Sequence, residues 1–138
     1  MSLDEIAALP VQDWVEDNAH LWLWTTNAHA ALAFQFMARW GFVPKTIATW
    51  VKPPPFVHGY YLRNSTEHAL FGVKGHLPTK AAAQAIPTHF EAPRGEHSEK
   101  PEAFYEIVRA ASYPPFGEAF QRKARPDFQS LFRERGTP

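Results

Sequence analysis

No cysteine occurs in the 138 residues. Disulfides, thiolate zinc sites and a cysteine nucleophile are thereby excluded together. No apolar run exceeds strand length, and no basic region precedes one near the N-terminus, so the sequence offers neither a membrane span nor a leader. The expectation is a soluble, cytoplasmic protein. Also absent are a Gly-x-Gly-x-x-Gly turn, a phosphate-loop lysine motif and a Gly-x-Ser-x-Gly elbow. Seven histidines are present, but none pair at helical spacing around a carboxylate, so no metal site is expected. Net charge is zero, yet it is unevenly placed: the first 38 residues hold five acids and no Lys or Arg, leaving the rest at about +5. Arg122, Lys123, Arg125, Arg133 and Arg135 crowd the last segment, either to meet phosphates or as a solvated basic tail.

What is present suffices for a core, since 45% of residues are hydrophobic and 14% aromatic. Ser2 and Glu5 have the spacing of a capping box, with Asp4 and Glu5 favourably placed at the positive end of a helix dipole. "NAHLWLWTT" is an unbroken apolar run, which predicts a strand covered on both faces. "NAHAALAFQFMARWGF" predicts a helix capped by Asn27, with apolar Leu32, Phe36 and Trp40, stopped at Gly41. "KTIATWVK" and "EHALFGVKG" read as strands around a long loop, and 76–95 reads as loop. From a Ser98 cap, Phe104, Ile107, Val108 and Ala111 form a helical stripe, and "GEAFQRK" suits a last short strand. Layered α/β architecture follows, with sites on the loops after strands.

Three loops concentrate chemistry. Lys52 ends a strand in "TWVKPP", as an anion ligand or as a locally satisfied lysine. "YYLRNSTEHALFGVKG" packs Tyr60, Tyr61, Arg63, Asn64, Glu67 and His68 before a strand, a density of stacking and hydrogen-bonding groups that suits a nucleobase or a loop that fastens itself. "APRGEHSEKPEAFYEIV" gathers Arg94, His97 and Lys100 at a helix start, for a phosphate or for capping.

These segments, with "MSLDEIAALPV" and "EAFQRKARPDF", follow in the order found in the MT-A family of N6-adenine methyltransferases, which the chain resembles from Met1 to about Phe128. The resemblance implies a Rossmann-like domain of permuted strand order that binds S-adenosylmethionine and methylates the exocyclic amine of adenine in DNA or RNA. It implies cofactor contacts from Lys52, Glu118, Phe120 and Arg122, and substrate contacts from Trp24, Asn64, Glu67 and His68. Arg94, Lys100, Lys123 and Arg125 would meet the nucleic acid.

Two departures from the family pattern stand out. The family's Asp-Pro-Pro-Trp tetrapeptide, whose acceptors orient the adenine amine, is expected upstream of "MSLDEI" and does not occur in the chain. Pro54-Pro55-Phe56 and Pro114-Pro115-Phe116 are preceded by Pro53 and Tyr113, neither a side-chain acceptor of the required kind. Near the end, Phe128 and then Phe132, Arg133 and Glu134 replace the family's Trp and Gly-Asn-Glu/Gln. The expectation is a single, incomplete methyltransferase domain over 1–138, lacking its central catalytic strand. It is either a truncated or split enzyme completed by an upstream segment or second chain, or an inactive nucleic-acid-binding or partner subunit.

Overall fold

A computed structural model describes residues 1–56, 58–59, 61–96 and 99–132. The chain opens with two short helices, α1 (Leu3–Ala7) and α2 (Val11–Trp14), then runs β1 (Ala19–Thr25), α3 (Ala30–Arg39), β2 (Val43–Val51) and β3 (Thr66–Lys74). A 3-10 turn (Ala81–Ala85), β4 (His89–Glu91), α4 (Glu102–Ala111), β5 (Phe116–Ala119) and β6 (Phe128–Phe132) complete it. The reciprocal capping box at α1 forms: Glu5 N–H donates to Ser2 Oγ at 3.1 Å and Ser2 N–H to Glu5 Oε1 at 3.2 Å. No helix among the described residues is long and apolar enough to cross a membrane.

Four strands make a mixed sheet in the order β1-β3-β2-β4. β3 runs antiparallel to β1 and β2, while β4 runs parallel to β2, so β1, β2 and β4 share one direction. The unbroken apolar run of β1 is explained by helices on both faces. Leu21 and Leu23 pack with Leu70 against Ala33 and Met37 of α3, whereas Trp22 and Trp24 pack with Ala69 against Phe104 of α4. Each face therefore takes alternate residues, and both are apolar. Close approach of α3 depends on Gly72, where an added Cβ would lie 2.7 Å from Met37 Sδ.

α4 also carries the second, parallel pair β5-β6, since Tyr105 and Val108 cluster with Phe128 and Phe116. β1 bonds only to β3, and β5 only to β6, among the described residues. The mixed α/β layers agree with the sequence expectation.

Several local expectations are corrected. Residue 29, not Asn27, caps α3, and it makes no side-chain cap bond, because the Asn27 amide is engaged across the sheet. The helix still ends where expected, with Gly41 at φ +89° after the Trp40 cap. Residues 76–95 hold both the 3-10 turn and β4. β4 owes its existence to three ladder positions on β2, from Thr49↔His89 to Val51↔Glu91, rather than to any alternation of its own. Ser98 lies outside the described residues; the observed α4 cap is Pro101. β5 stops at Ala119, and Phe120 turns at φ +60°, so "QRK" is not strand. β6 was not anticipated.

Candidate functional site

The shared direction of β1, β2 and β4 brings their carboxyl ends to one edge, where sheets of this kind hold ligands. Trp50 stands opposite Glu67 in the β2–β3 register, and Lys52 N–H donates to Ser65 O at 2.8 Å, which carries the pairing one step beyond β2. Glu67 thereby meets two cations: Lys52 Nζ at 2.9 Å from Oε2 and Lys100 Nζ at 2.6 Å from Oε1. Each ammonium also sits over an indole, Lys52 at 4.8 Å from the Trp50 ring and Lys100 at 4.9 Å from Trp24. The two indoles meet edge to face at 6.2 Å, and Trp50 Nε1 donates to Ala92 O at 2.8 Å, tying the exit of β4 to the cluster. Burial opposes ionisation of Glu67, but hydrogen bonds from Lys100 and Lys52 outweigh it and hold the carboxyl below its ordinary range. Two ammoniums around one carboxylate leave a positive charge, which favours a further anionic group.

On the other face of β3, His68 lies opposite Thr49. Its Nδ1 is 2.8 Å from Thr49 Oγ1 and its Nε2 is 2.7 Å from Asn27 Oδ1. Asn27 Nδ2 donates to Thr66 Oγ1 at 3.1 Å, so Oδ1 accepts from His68 Nε2–H, and Nδ1 accepts the Thr49 hydroxyl proton. This pattern suits neutral imidazole. Burial lowers the His68 pKa, against the opposing pull of Glu67.

At the late strand, Tyr105 OH donates to Glu118 Oε2 at 2.5 Å, while Glu118 Oε1 is buried with no hydrogen-bond partner. Burial, followed by the bond to Glu118, pushes the Tyr105 phenol above its ordinary range. Arg125 lies 3.4 Å from the Tyr105 ring centroid and donates to Glu102 Oε1 from Nη2 at 2.7 Å and from Nε at 3.1 Å.

Of the residues singled out in the sequence, Lys52, Glu67, Lys100 and Trp24 come together directly. His68 backs them from the opposite face, and Asn64 is exposed on the β2–β3 loop. Glu118 joins this group only through the chain of rings Tyr105, Phe104 and Trp24. Phe120 and Arg122 are exposed. Arg94 Nη1 donates to Pro53 O at 2.8 Å, whereas its Nη2 is buried without a partner. Lys123 is exposed, 3.9 Å from Glu99 and 4.0 Å from Glu102. Arg125 is 7% exposed and engaged by Glu102, so of the two readings of the basic segment, phosphate contact or solvated tail, the second does not apply to it. Tyr60, His97, Arg133, Glu134 and Arg135 lie outside the described residues.

Sequence reasoning passed over Trp50, Thr49 and Tyr105 and took Asn27 for a cap. Only the strand register, which sets Trp50 against Glu67 and Thr49 against His68, signals the first two. Among the described residues, no group of three or more His, Cys, Asp or Glu gathers as metal ligands would. An apolar groove of about 420 Å³ between Trp22, Ile47, Phe71, Ile86 and Ile107 has no charged lining residue. It lies beside the last turns of α4, away from Lys100.

The model of the MT-A70 family matches residues 1–134. The type II methyltransferase M.MunI of Mycoplasma sp is 36% identical over 106 residues, which is 75% of this chain and 44% of that protein. The chain thus spans less than half the length of the curated relative it matches.

Proposed function

The chain belongs to the MT-A70 family, and from that premise we propose that it forms the cofactor- and base-positioning part of an S-adenosylmethionine-dependent N6-adenine methyltransferase acting on DNA or RNA. The observation that carries the reading is the buried, unpartnered Oε1 of Glu118. A buried carboxylate oxygen without a donor is costly, and a ligand hydroxyl such as a ribose offers the donor it lacks. The paired ammoniums of Lys52 and Lys100 fit the other end of the same ligand, its amino-acid carboxylate, because Glu67 compensates only one of them. The residues present therefore suit the cofactor. Phe120 and Arg122, just past β5, would flank its ribose end.

S-Adenosylmethionine supplies the methyl group when bound. The chain's own residues bind and orient. Lys52 and Lys100 would anchor an anionic end and Glu118 a hydroxyl. Trp24 and Glu67, with Asn64 on the loop above, would line the space for the base, and His68 holds the Asn27 loop and the strand ends in place. Arg94, with one buried donor unused, and exposed Lys123 would meet phosphate oxygens. Lys100, bonded to Glu67, serves the cofactor end in this reading rather than a phosphate, and Arg125, 7% exposed and held by Glu102, would order the start of α4 rather than touch the nucleic acid.

The side-chain acceptor for the adenine amine protons is not among these 138 residues, since neither internal Pro-Pro-aromatic run follows Asp or Asn. We infer that a segment bearing the family's tetrapeptide, upstream or on a second chain, would supply it, pairing along the unshared edges of β1 and β5. The same observation favours a second reading, a non-catalytic partner subunit that keeps the fold and binds nucleic acid.

Calorimetry with S-adenosylhomocysteine tests the cofactor site. Lys52→Ala, Arg122→Ala and Glu118→Gln are expected to weaken binding more than Lys45→Ala on the exposed start of β2. Lys80 is no neutral control, because its Nζ donates to Arg109 O at 3.0 Å. Equal effects at all four positions would remove the site assignment.

A further inference from the structure

The loop between β2 and β3 carries two large apolar side chains into solvent: Tyr61 is 98% exposed and Leu62 82%. No other large hydrophobic residue in the described structure approaches these values; Val43 follows at 57%. They stand at the tip of a shaped turn. An added Cβ at Gly59 would collide with Leu62 O and lie 3.0 Å from Asn64 Nδ2, so the chain folds back on itself there and pushes residues 61–62 outward. The base of the loop is closed by the Lys52 N–H to Ser65 O bond.

Position and charge say what the tip meets. The loop joins Lys52 directly to the approach of Glu67, so its base borders the candidate site. Residues 53–64 contain Arg63 and His58 and no Asp or Glu. Arg94, bonded to Pro53 O, brings a second guanidinium to the foot of the loop. An aromatic ring and a leucine held out on a turn whose charged groups are all basic match a polyanion with flat apolar faces, which is a nucleic-acid strand with an unstacked base.

We propose that Tyr61 stacks on an unpaired base next to the target adenine, with Leu62 filling the gap beside it and Arg63 on the adjoining phosphate. This rests on the nucleic-acid reading above and goes beyond it by assigning a base-stacking contact outside the cofactor and target pockets. The tip would hold the strand open beside the target, a step that chemistry on a base requires.

The test is fluorescence anisotropy with an adenine-containing oligonucleotide bearing 2-aminopurine beside the target, as DNA single strand, RNA single strand and DNA duplex. Tyr61→Ala is expected to weaken single-strand binding about fivefold to a hundredfold and to relieve 2-aminopurine quenching. Tyr61→Phe, which keeps the ring, should stay within about twofold of the wild type. The salt slope should be unchanged in Tyr61→Ala and lowered by about one in Arg63→Ala. Both side chains are solvent-exposed, so thermal midpoints should match the wild type. Wild-type affinity and quenching in Tyr61→Ala would overturn the stacking contact and leave the cofactor site standing. A wild-type chain that binds S-adenosylhomocysteine but neither single strand would overturn it as well. Failure to bind S-adenosylhomocysteine, with the oligonucleotide result intact, would count against the cofactor site alone.

Discussion

Glu67 is the residue on which most of the site's electrostatics converge, because two ammoniums at 2.6 and 2.9 Å share its carboxylate and all three side chains are at most 23% exposed. Glu67→Gln keeps the shape and removes the charge, leaving Lys52 and Lys100 to face each other. The expected cost is about 1–3 kcal/mol, read as a lower urea midpoint at unchanged slope. Acidity separates Glu67 from His68. The Glu67 carboxyl is depressed from an ordinary 4.5, so its contribution is complete above that pH and is lost as pH falls through the lowered value. The His68 pKa is also depressed, from 6.5, so the unfolded chain takes up its proton first and stability declines as pH drops below 6.5. Urea titrations from pH 8 to pH 3 should therefore show two descending stretches, and His68→Gln should erase the upper one and spare the lower. An unaltered upper stretch would show that the burial of His68 is not what produces it.

β3 and α4 do most of the organising among the elements. β3 is flanked on both sides in the sheet, and its glycine is what lets α3 sit close, since Met37 is fully buried and has nowhere to retreat. Gly72→Ala should accordingly destabilise by about 1–3 kcal/mol through overpacking, despite the better strand propensity of alanine. Met37→Ala opens a cavity and should cost about 2–5 kcal/mol by itself. Together the two changes should cost less than their sum, because the space each needs is the space the other vacates. A double-mutant cycle in urea measures this, and strict additivity would mean that the strand moves rather than the side chain. α4 buries Phe104, Tyr105 and Val108, so one helix holds the four-stranded sheet and the β5-β6 pair together and carries the bond from Tyr105 to Glu118.

For the whole molecule, the decisive matter is which chemistry the 138 residues can complete. On the proposed reading, with no acceptor for the amine protons an adenine nitrogen would keep its lone pair delocalised in the ring, and the loss of positioning and proton acceptance together typically removes several powers of ten in rate. The purified chain is expected to transfer no methyl from labelled S-adenosylmethionine to an adenine-rich oligonucleotide above a no-protein control. Adding a polypeptide that bears the tetrapeptide strand should raise transfer above that control. Transfer by the chain alone, abolished by Lys52→Ala, would overturn this and point to an unconventional acceptor. The family resemblance, the α1 cap, the doubly covered β1, the Gly41 stop and the α4 stripe were all legible in the sequence, because each is a local pattern of caps, periodicity and motif order that neighbours along the chain impose. The approach of Lys52 and Glu67 was legible only as two loops rich in chemistry. The rest was decided in tertiary space. β4 exists because β2 offers it three partners, Asn27 left its capping role because His68 and Thr66 lie across the sheet, and Lys100 turned from a phosphate candidate into a partner of Glu67 because α4 begins beside the end of β2. Arg125 left the basic tail for the same reason: its charge found Glu102 and the Tyr105 ring, contacts between residues 23 and 20 positions apart, which no local pattern encodes and only packing brings within 4 Å.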